Sequence, residues 1–272
     1  AHDLDAAGYD VIVAEARSRV GGRIRTVRAP FSGGQYAEAG GEFIDTTHTM
    51  MRSIARQAGL SLSDVRKGAD VDREGTVRVG GVDRTDRAAR AGATGTQLEA
   101  LDARVEALSR KLSISDPVGT GAALDRRSVA DLLDELALSP EARFLAEADI
   151  RNEYTVEPER LSLLFHAYLY RRTEELPESG VEAFRITGGN DQAPRAIAED
   201  LGARIVHLRA PVTRIERPSG GGVRVTIAGE RVRARWCVLA APLPAVRDIA
   251  FSPALPAPLA AAIDDVQYGV GT

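Results

Sequence analysis

The sequence predicts a mixed α/β fold built around a parallel sheet and interrupted by a helical middle. Three observations predict it. A short apolar run, Val11-Ile12-Val13-Ala14, ends in one acid, Glu15, and a tight Gly21-Gly22-Arg23 turn follows. Apolar residues then recur at helical spacing from Leu98 to Leu169. From Phe184 onward the pattern returns to short strands separated by glycine turns. An uninterrupted apolar run reads as a strand covered on both faces, the habit of parallel sheets.

The first stretch carries chemistry. In a dinucleotide-binding βαβ unit, an acid at the end of the second strand accepts hydrogen bonds from ribose hydroxyls. Glu15 occupies that place. Gly21 and Gly22 allow close backbone approach to a phosphate, and Arg23 adds a charged fork of donors. The opening Gly-x-Gly-x-x-Gly turn belongs about 20 residues before such an acid. Only 14 residues precede Glu15. Ala1 to Ala7, with Gly8 as a stop, read as the last turns of the helix that such a turn opens. The expectation is a chain that starts inside its first βαβ unit.

Composition bounds the remainder. The 272 residues permit one large or two small domains with a sizeable core. The net charge of −4, from 39 acids and 35 bases, argues against a nucleic-acid-binding chain. Cys237 is the single cysteine, so no internal disulfide forms, and a reducing cytoplasm is the expected setting. His2, His48, His166 and His207 are scattered without a metal-ligand spacing, so no metal site is expected. No apolar run reaches the 18 or so residues that a membrane span needs.

In chain order, Ile24 to Arg28 reads as extended and Pro30 to Gly34 as a turn. Thr47 is placed to cap a helix from His48 to Ala58, with Met50, Met51, Ile54 and Ala58 as its buried stripe. Val71 to Val82 has the period of a hairpin, and Asp83 to Thr96 reads as a linker. Leu98, Leu101, Val105, Leu108 and Leu112 fall on one helix face. Ser128 caps the next helix, Ser139-Pro140-Glu141 opens a third and Glu157-Pro158-Glu159 a fourth. His166, in an apolar stretch, reads as a core-facing histidine. A helix ends at Gly202, and strands follow at Ile205–Leu208, Pro211–Ile215, Val223–Ile227 and around Val232. Trp236-Cys237-Val238-Leu239-Ala240 reads as a buried strand ending in a tight turn at Ala241-Pro242.

These residues resemble the flavin-containing amine oxidase family. The family carries an acid-Ala-Arg strand end, here Glu15-Ala16-Arg17, then a Gly-Gly-Arg turn at the same separation. Its acid-x-Gly-Gly-x-aromatic-aliphatic segment matches Glu38 to Ile44, with Asp45 where relatives often have glycine. Its later succession of Gly-Gly helix, strand, Val-x-x-Ile strand, hairpin and apolar strand ending in small residues and proline appears in order from Phe184 to Pro242. The helical middle matches more softly, through Glu153-Tyr154, Pro158 and Leu161 to Leu164.

The resemblance implies a Rossmann-like FAD-binding domain with an inserted, mainly helical substrate domain. The FAD-binding parts would be residues 1–80 and 184–272, and the substrate domain 84–183. It implies FAD contacts from Glu15, Ala16, Arg17, Gly21, Gly22, Arg23, Gly40, Gly41, Glu42, Phe43 and Ile44, with Val212 at the adenine and Ala240, Ala241 and Pro242 at a turn near the cofactor. It implies oxidation of a small amine or amino acid at a C–N bond, with O2 as acceptor and H2O2 as product. A desaturase of the phytoene or protoporphyrinogen type and a non-catalytic fragment are the alternatives. A homodimer stays open, and no catalytic side chain is assigned. The stretch from Phe251 to Thr272 resembles the family segment that runs into a lysine near the flavin, so a lysine is expected directly after Thr272. The expectation is of a chain cut at both ends, which as it stands binds FAD poorly.

Overall fold

The computed structural model describes residues 1–67, 75–173 and 181–269. They group into two compact units, one of residues 1–65 with 182–268, the other of 66–181 with 269–272.

The first unit opens with a short helix α1 (His2–Ala6) and strand β1 (Val13–Ala14). Strands β2 (Thr26–Val27) and β3 (Ala37–Glu38) then pair antiparallel. Helix α2 (Thr49–Gln57) and strand β4 (Leu62–Asp64) follow. The expected stripe of α2 is corrected at both ends, since Ala58 is exposed and lies just past the helix. Met50 is 69% exposed, and Ala55 is the residue of α2 fully enclosed, with Met51 and Ile54 packed beside it. The helix starts one residue later than Thr47 predicts, with His48 at the cap position, where its imidazole accepts the Asp45 N–H.

The second unit begins, among described residues, with a hairpin of β5 (Thr76–Val79) and β6 (Val82–Thr85). Both turn residues, Gly80 and Gly81, have positive φ, as a two-residue hairpin turn requires. Residues 71–74 of the expected hairpin lie outside the described residues. The expected linker at Asp83–Thr96 is instead ordered structure: β6, a one-turn helix α3 (Asp86–Ala89) and the start of α4 (Gly92–Ser109). Two contacts order it. Thr85 caps α3 by accepting the Ala88 N–H, and Arg90 forms paired hydrogen bonds with both Asp86 and Asp149. A charged stretch reads as a linker only while its partners are unseen.

Helices α5 (Pro117–Gly121), α6 (Val129–Glu135), α7 (Pro140–Tyr154) and α8 (Leu163–Thr173) complete the unit. Ser128 and Ser139 cap α6 and α7 as expected, accepting the Asp131 and Ala142 N–H, and the Asp131 carboxylate adds the reciprocal bond of a capping box. The Glu157-Pro158-Glu159 start yields a 3-10 turn over Pro158–Arg160 before α8, rather than one continuous helix. The stripe of α4 buries Val105 and Leu108, joined by Leu132, Leu133 and Leu163. Each such side chain contributes roughly 1.5–3 kcal/mol on burial.

The chain then returns to the first unit. Strand β7 (Phe184–Ile186) pairs antiparallel with β4, and Ile44 bridges Phe184 at its side. Ile44, Ala55, Ile186 and Ala193 form the small core there. Helix α9 (Gln192–Leu201) ends at Gly202, whose φ of +70° closes it. Strand β8 (Val206–His207) pairs parallel with β1, with Val13 opposite Val206. Strands β9 (Val212–Glu216), β10 (Val223–Ile227) and β11 (Glu230–Ala234) form an antiparallel meander, and β12 (Ala250–Ser252) adds parallel to β9. Two short helices, α10 (Leu243–Val246) and α11 (Ala257–Asp265), flank β12.

Two strand expectations are corrected. The Val11–Ala14 run is a strand only over Val13–Ala14, and Ile12 is 49% exposed, because a two-stranded pair offers no cover on its second face. Trp236 to Ala240 forms no strand and pairs with no partner, so it shares no sheet with Val11–Ala14. Trp236 is 84% and Val238 80% exposed. The apolar run has the composition of a buried strand, but a strand is buried only where neighbours offer backbone partners on its edges. Among the described residues none does.

Candidate functional site

The candidate site lies in the first unit, at the carboxyl end of the parallel pair β1–β8. Glu15 follows the last residue of β1. Its N–H donates to His207 O at 2.9 Å and its carbonyl accepts the Ala210 N–H at 2.9 Å. The parallel ladder therefore fixes the backbone of Glu15 on both sides. Its carboxylate accepts the Arg17 N–H through Oε1 at 2.8 Å. Arg17 is tied in turn, its carbonyl accepting the Arg209 N–H at 2.8 Å. Ala16 sits between them, exposed. Val212 begins β9 two residues after Ala210, so the structure brings the Glu15 and Val212 segments together.

A second group forms around the glycine turn. Gly21 has φ +96° and Gly22 φ +51°. A Cβ on Gly21 would stand 2.8 Å from Ile24 O and 3.1 Å from Pro194. Arg19 holds the turn from inside: it donates to Gly22 O at 2.8 Å, Val20 O at 3.1 Å and Ile24 O at 3.2 Å. Arg23 is exposed, and its guanidinium lies 5.6 Å from the centre of the Tyr268 ring. The Tyr268 hydroxyl accepts the Leu243 N–H at 3.4 Å, next to Pro242 at the start of α10. Tyr268 thus relates the Arg23 turn to the Ala240-Ala241-Pro242 segment.

Gly40 and Gly41 run beside this turn. The Gly41 N–H donates to Arg23 O at 3.0 Å. A Cβ on Gly40 would stand 1.9 Å from that same oxygen, so no other residue fits there. Glu42 pairs with Arg185, whose guanidinium also covers the Phe43 ring at 4.5 Å. Ile44 points the other way and is 3% exposed in the core, so its side chain packs instead of lining a surface. Asp45 accepts the Glu182 N–H at 2.7 Å and is spent on holding the chain before β7.

Three residues that sequence reasoning passed over bind these groups. Asn190, 3% exposed, donates to Gly41 O and Glu42 O and accepts the Ile186 N–H. Glu38 accepts from the Asn190 N–H and from the Thr26 hydroxyl. Arg28 forms a paired contact with Asp191, and that guanidinium holds the Asp191 carboxyl below the usual carboxylate range. The signal was present at Gly188-Gly189-Asn190-Asp191, where an Asn-Asp pair directly follows two glycines. Gly189 has φ +116°, and a Cβ there would stand 2.5 Å from Thr26.

A family model for flavin containing amine oxidoreductases matches residues 1–272. The chain belongs to that family. A Mycobacterium tuberculosis protein bearing the name flavin-containing monoamine oxidase AofH is 30% identical over 94% of this chain and 57% of its own length. The pig protein amine oxidase [flavin-containing] B is 27% identical over 93% of the chain and 49% of its own. Among solved structures, cyclohexylamine oxidase from Brevibacterium oxydans matches with a TM-score of 0.82 and 28% identity, over 97% of this chain and 59% of that one. The chain spans about half the length of the curated relatives it matches. Within this flavin-containing amine oxidoreductase chain, no cluster of metal-ligating side chains occurs among the described residues. No helix among them is long and apolar enough to cross a membrane.

Proposed function

We propose that this chain supplies FAD-binding surface to an amine oxidase that oxidises a C–N bond of a small amine or amino acid. The observation that carries the reading is the placement of Glu15. Ligands of open parallel sheets lie outside the carboxyl ends of the strands, and Glu15 stands there with one carboxylate oxygen engaged by Arg17 N–H. The other oxygen is left to accept from a ribose hydroxyl. The residues present fit the cofactor in a second respect. Gly22 carries a positive φ with open space where a Cβ would stand, so backbone can meet a phosphate there.

The protein's part is binding and orientation. Glu15 fixes the adenosine end, Val212 backs the adenine, and Arg23 offsets phosphate charge. Gly40 and Gly41 pass their backbone along the cofactor, with Phe43 and Arg185 beyond. The chemistry that bound FAD would supply is acceptance of a hydride equivalent from the substrate, with O2 as the final acceptor. We assign residues 84–183 to the substrate side of the protein.

Titration of the whole protein with FAD, followed by flavin absorbance and peroxide release from an amine panel, tests the reading. Bound flavin with peroxide from one amine class is the expected result. Bound flavin without peroxide moves the assignment to a desaturase. A protein that never takes up FAD at saturating concentration removes both.

A further inference from the structure

A cavity of about 560 Å³ opens beside the glycine turn, between residues 18–26, helix α9 and strand β8. Its size is that of a small-molecule pocket. None of its lining residues is among those assigned to FAD, although Arg19 also holds the neighbouring glycine turn. The floor is apolar, made by Val20, Ala198, Val206 and Leu208. Three arginines, Arg19, Arg25 and Arg195, and two acids, Asp191 and Glu199, complete the lining, with Asp191 already paired to Arg28. Arg25 is exposed, and its guanidinium has no hydrogen-bond or ion-pair partner among the described residues. Among the described residues Arg195 reaches one carboxylate, Asp191 at 3.5 Å, and that carboxylate already takes two shorter bonds from Arg28. Arg19 spends three donors on the turn carbonyls and forms the back wall.

We propose that this cavity is a second small-molecule site, which takes a monocarboxylate carrying a compact apolar body. Guanidinium groups with unfilled donors pair with a carboxylate in a fork geometry that a hydroxyl or an amine cannot reproduce. The apolar floor takes the body of the ligand out of water. The acid pair of Glu199 and Asp191, also in the lining, limits the ligand's charge. It repels a second carboxylate, which selects a monoanion over a dicarboxylate or a phosphate ester.

The test uses 3-phenylpropanoate, with 3-phenylpropan-1-ol as its neutral counterpart, titrated into the protein and followed by amide NMR. Saturable shifts centred on Val20, Ala198 and Leu208 are expected, with the alcohol at least tenfold weaker. The double variant Arg25→Gln, Arg195→Gln should lose tenfold or more in affinity for the acid and little for the alcohol. Both positions are exposed, so the substitutions leave the core intact. Equal binding of acid and alcohol overturns the proposal without recourse to any variant. So do shifts that centre elsewhere, or unchanged affinity in the double variant.

Discussion

Asn190 donates from Nδ2 to Gly41 O at 2.9 Å, across a sequence separation of 149 residues. The same amide reaches Glu42 O at 2.7 Å, and its oxygen accepts the Ile186 N–H at 2.8 Å. One buried side chain therefore satisfies three backbone groups on two segments. Truncation leaves those groups without partners, and each unsatisfied buried group costs about 1–3 kcal/mol. Asn190→Ala should destabilise the first unit by about 2–4 kcal/mol, the range of a broken buried network. Asn190→Asp keeps the acceptor and loses both donors. Chemical denaturation of both variants measures the loss, and a midpoint equal to wild type for Asn190→Ala would contradict the role.

The two neighbouring glycines should respond differently to one methyl group. A Cβ on Gly40 overlaps a backbone oxygen at 1.9 Å, which a side-chain rotation cannot relieve. A Cβ on Gly41 meets Ile24 Cγ1 at 3.6 Å, an ordinary contact. Gly40→Ala should cost about 1–3 kcal/mol, the scale of overpacking with backbone shift. Gly41→Ala should stay within about 0.5 kcal/mol. Thermal melts of the pair decide it; equal melting temperatures would show that the 23–25 and 39–41 segments separate freely.

Glu15→Ala should weaken retention of FAD by about 1–3 kcal/mol, the scale of a hydrogen bond to a charged group. Glu15→Gln keeps an acceptor oxygen and should lie between. Equilibrium dialysis against FAD reads both. Occupancy unaffected by either change would withdraw the ribose role from this residue.

The second unit holds a titratable pair, the Tyr154 hydroxyl and His166 Nδ1, 2.9 Å apart. Burial pushes the tyrosine up to about 12, so it keeps its proton and donates. Burial pushes the His166 imidazole below its ordinary value, so it stays neutral and accepts. The sign follows from linkage: the unfolded chain binds the histidine proton at a higher pH than the folded chain does. The stability that neutral His166 contributes is present above its unfolded pKa of about 6.5 and is lost as pH falls below it. Stability measured from pH 8 to 5 should fall less steeply in His166→Phe than in wild type. Parallel profiles would place the imidazole in water.

Several elements were legible because their causes are local. The Ser128 cap needs only four consecutive residues, and the Gly80-Gly81 turn needs only two. The acid at the end of an apolar run and the Gly-Gly-Arg turn were likewise readable, since strand ends and positive-φ positions restrict residue type directly. Other outcomes depend on partners distant in the chain. Asp86, Arg90 and Asp149 turn an apparent linker into ordered structure, and 59 residues separate the last two. Trp236 to Leu239 has the composition of a buried strand yet stands in solvent, because burial requires neighbours that composition does not supply. Local sequence therefore determined the turns, the caps and the acid at the end of the first strand. Only the tertiary structure decided which segments meet, that Asn190 holds the Gly41 segment, and that Ile44 packs inward. Those outcomes rest on side-chain bonds across more than a hundred residues or on which face a backbone presents, and neither is set by the residues next door.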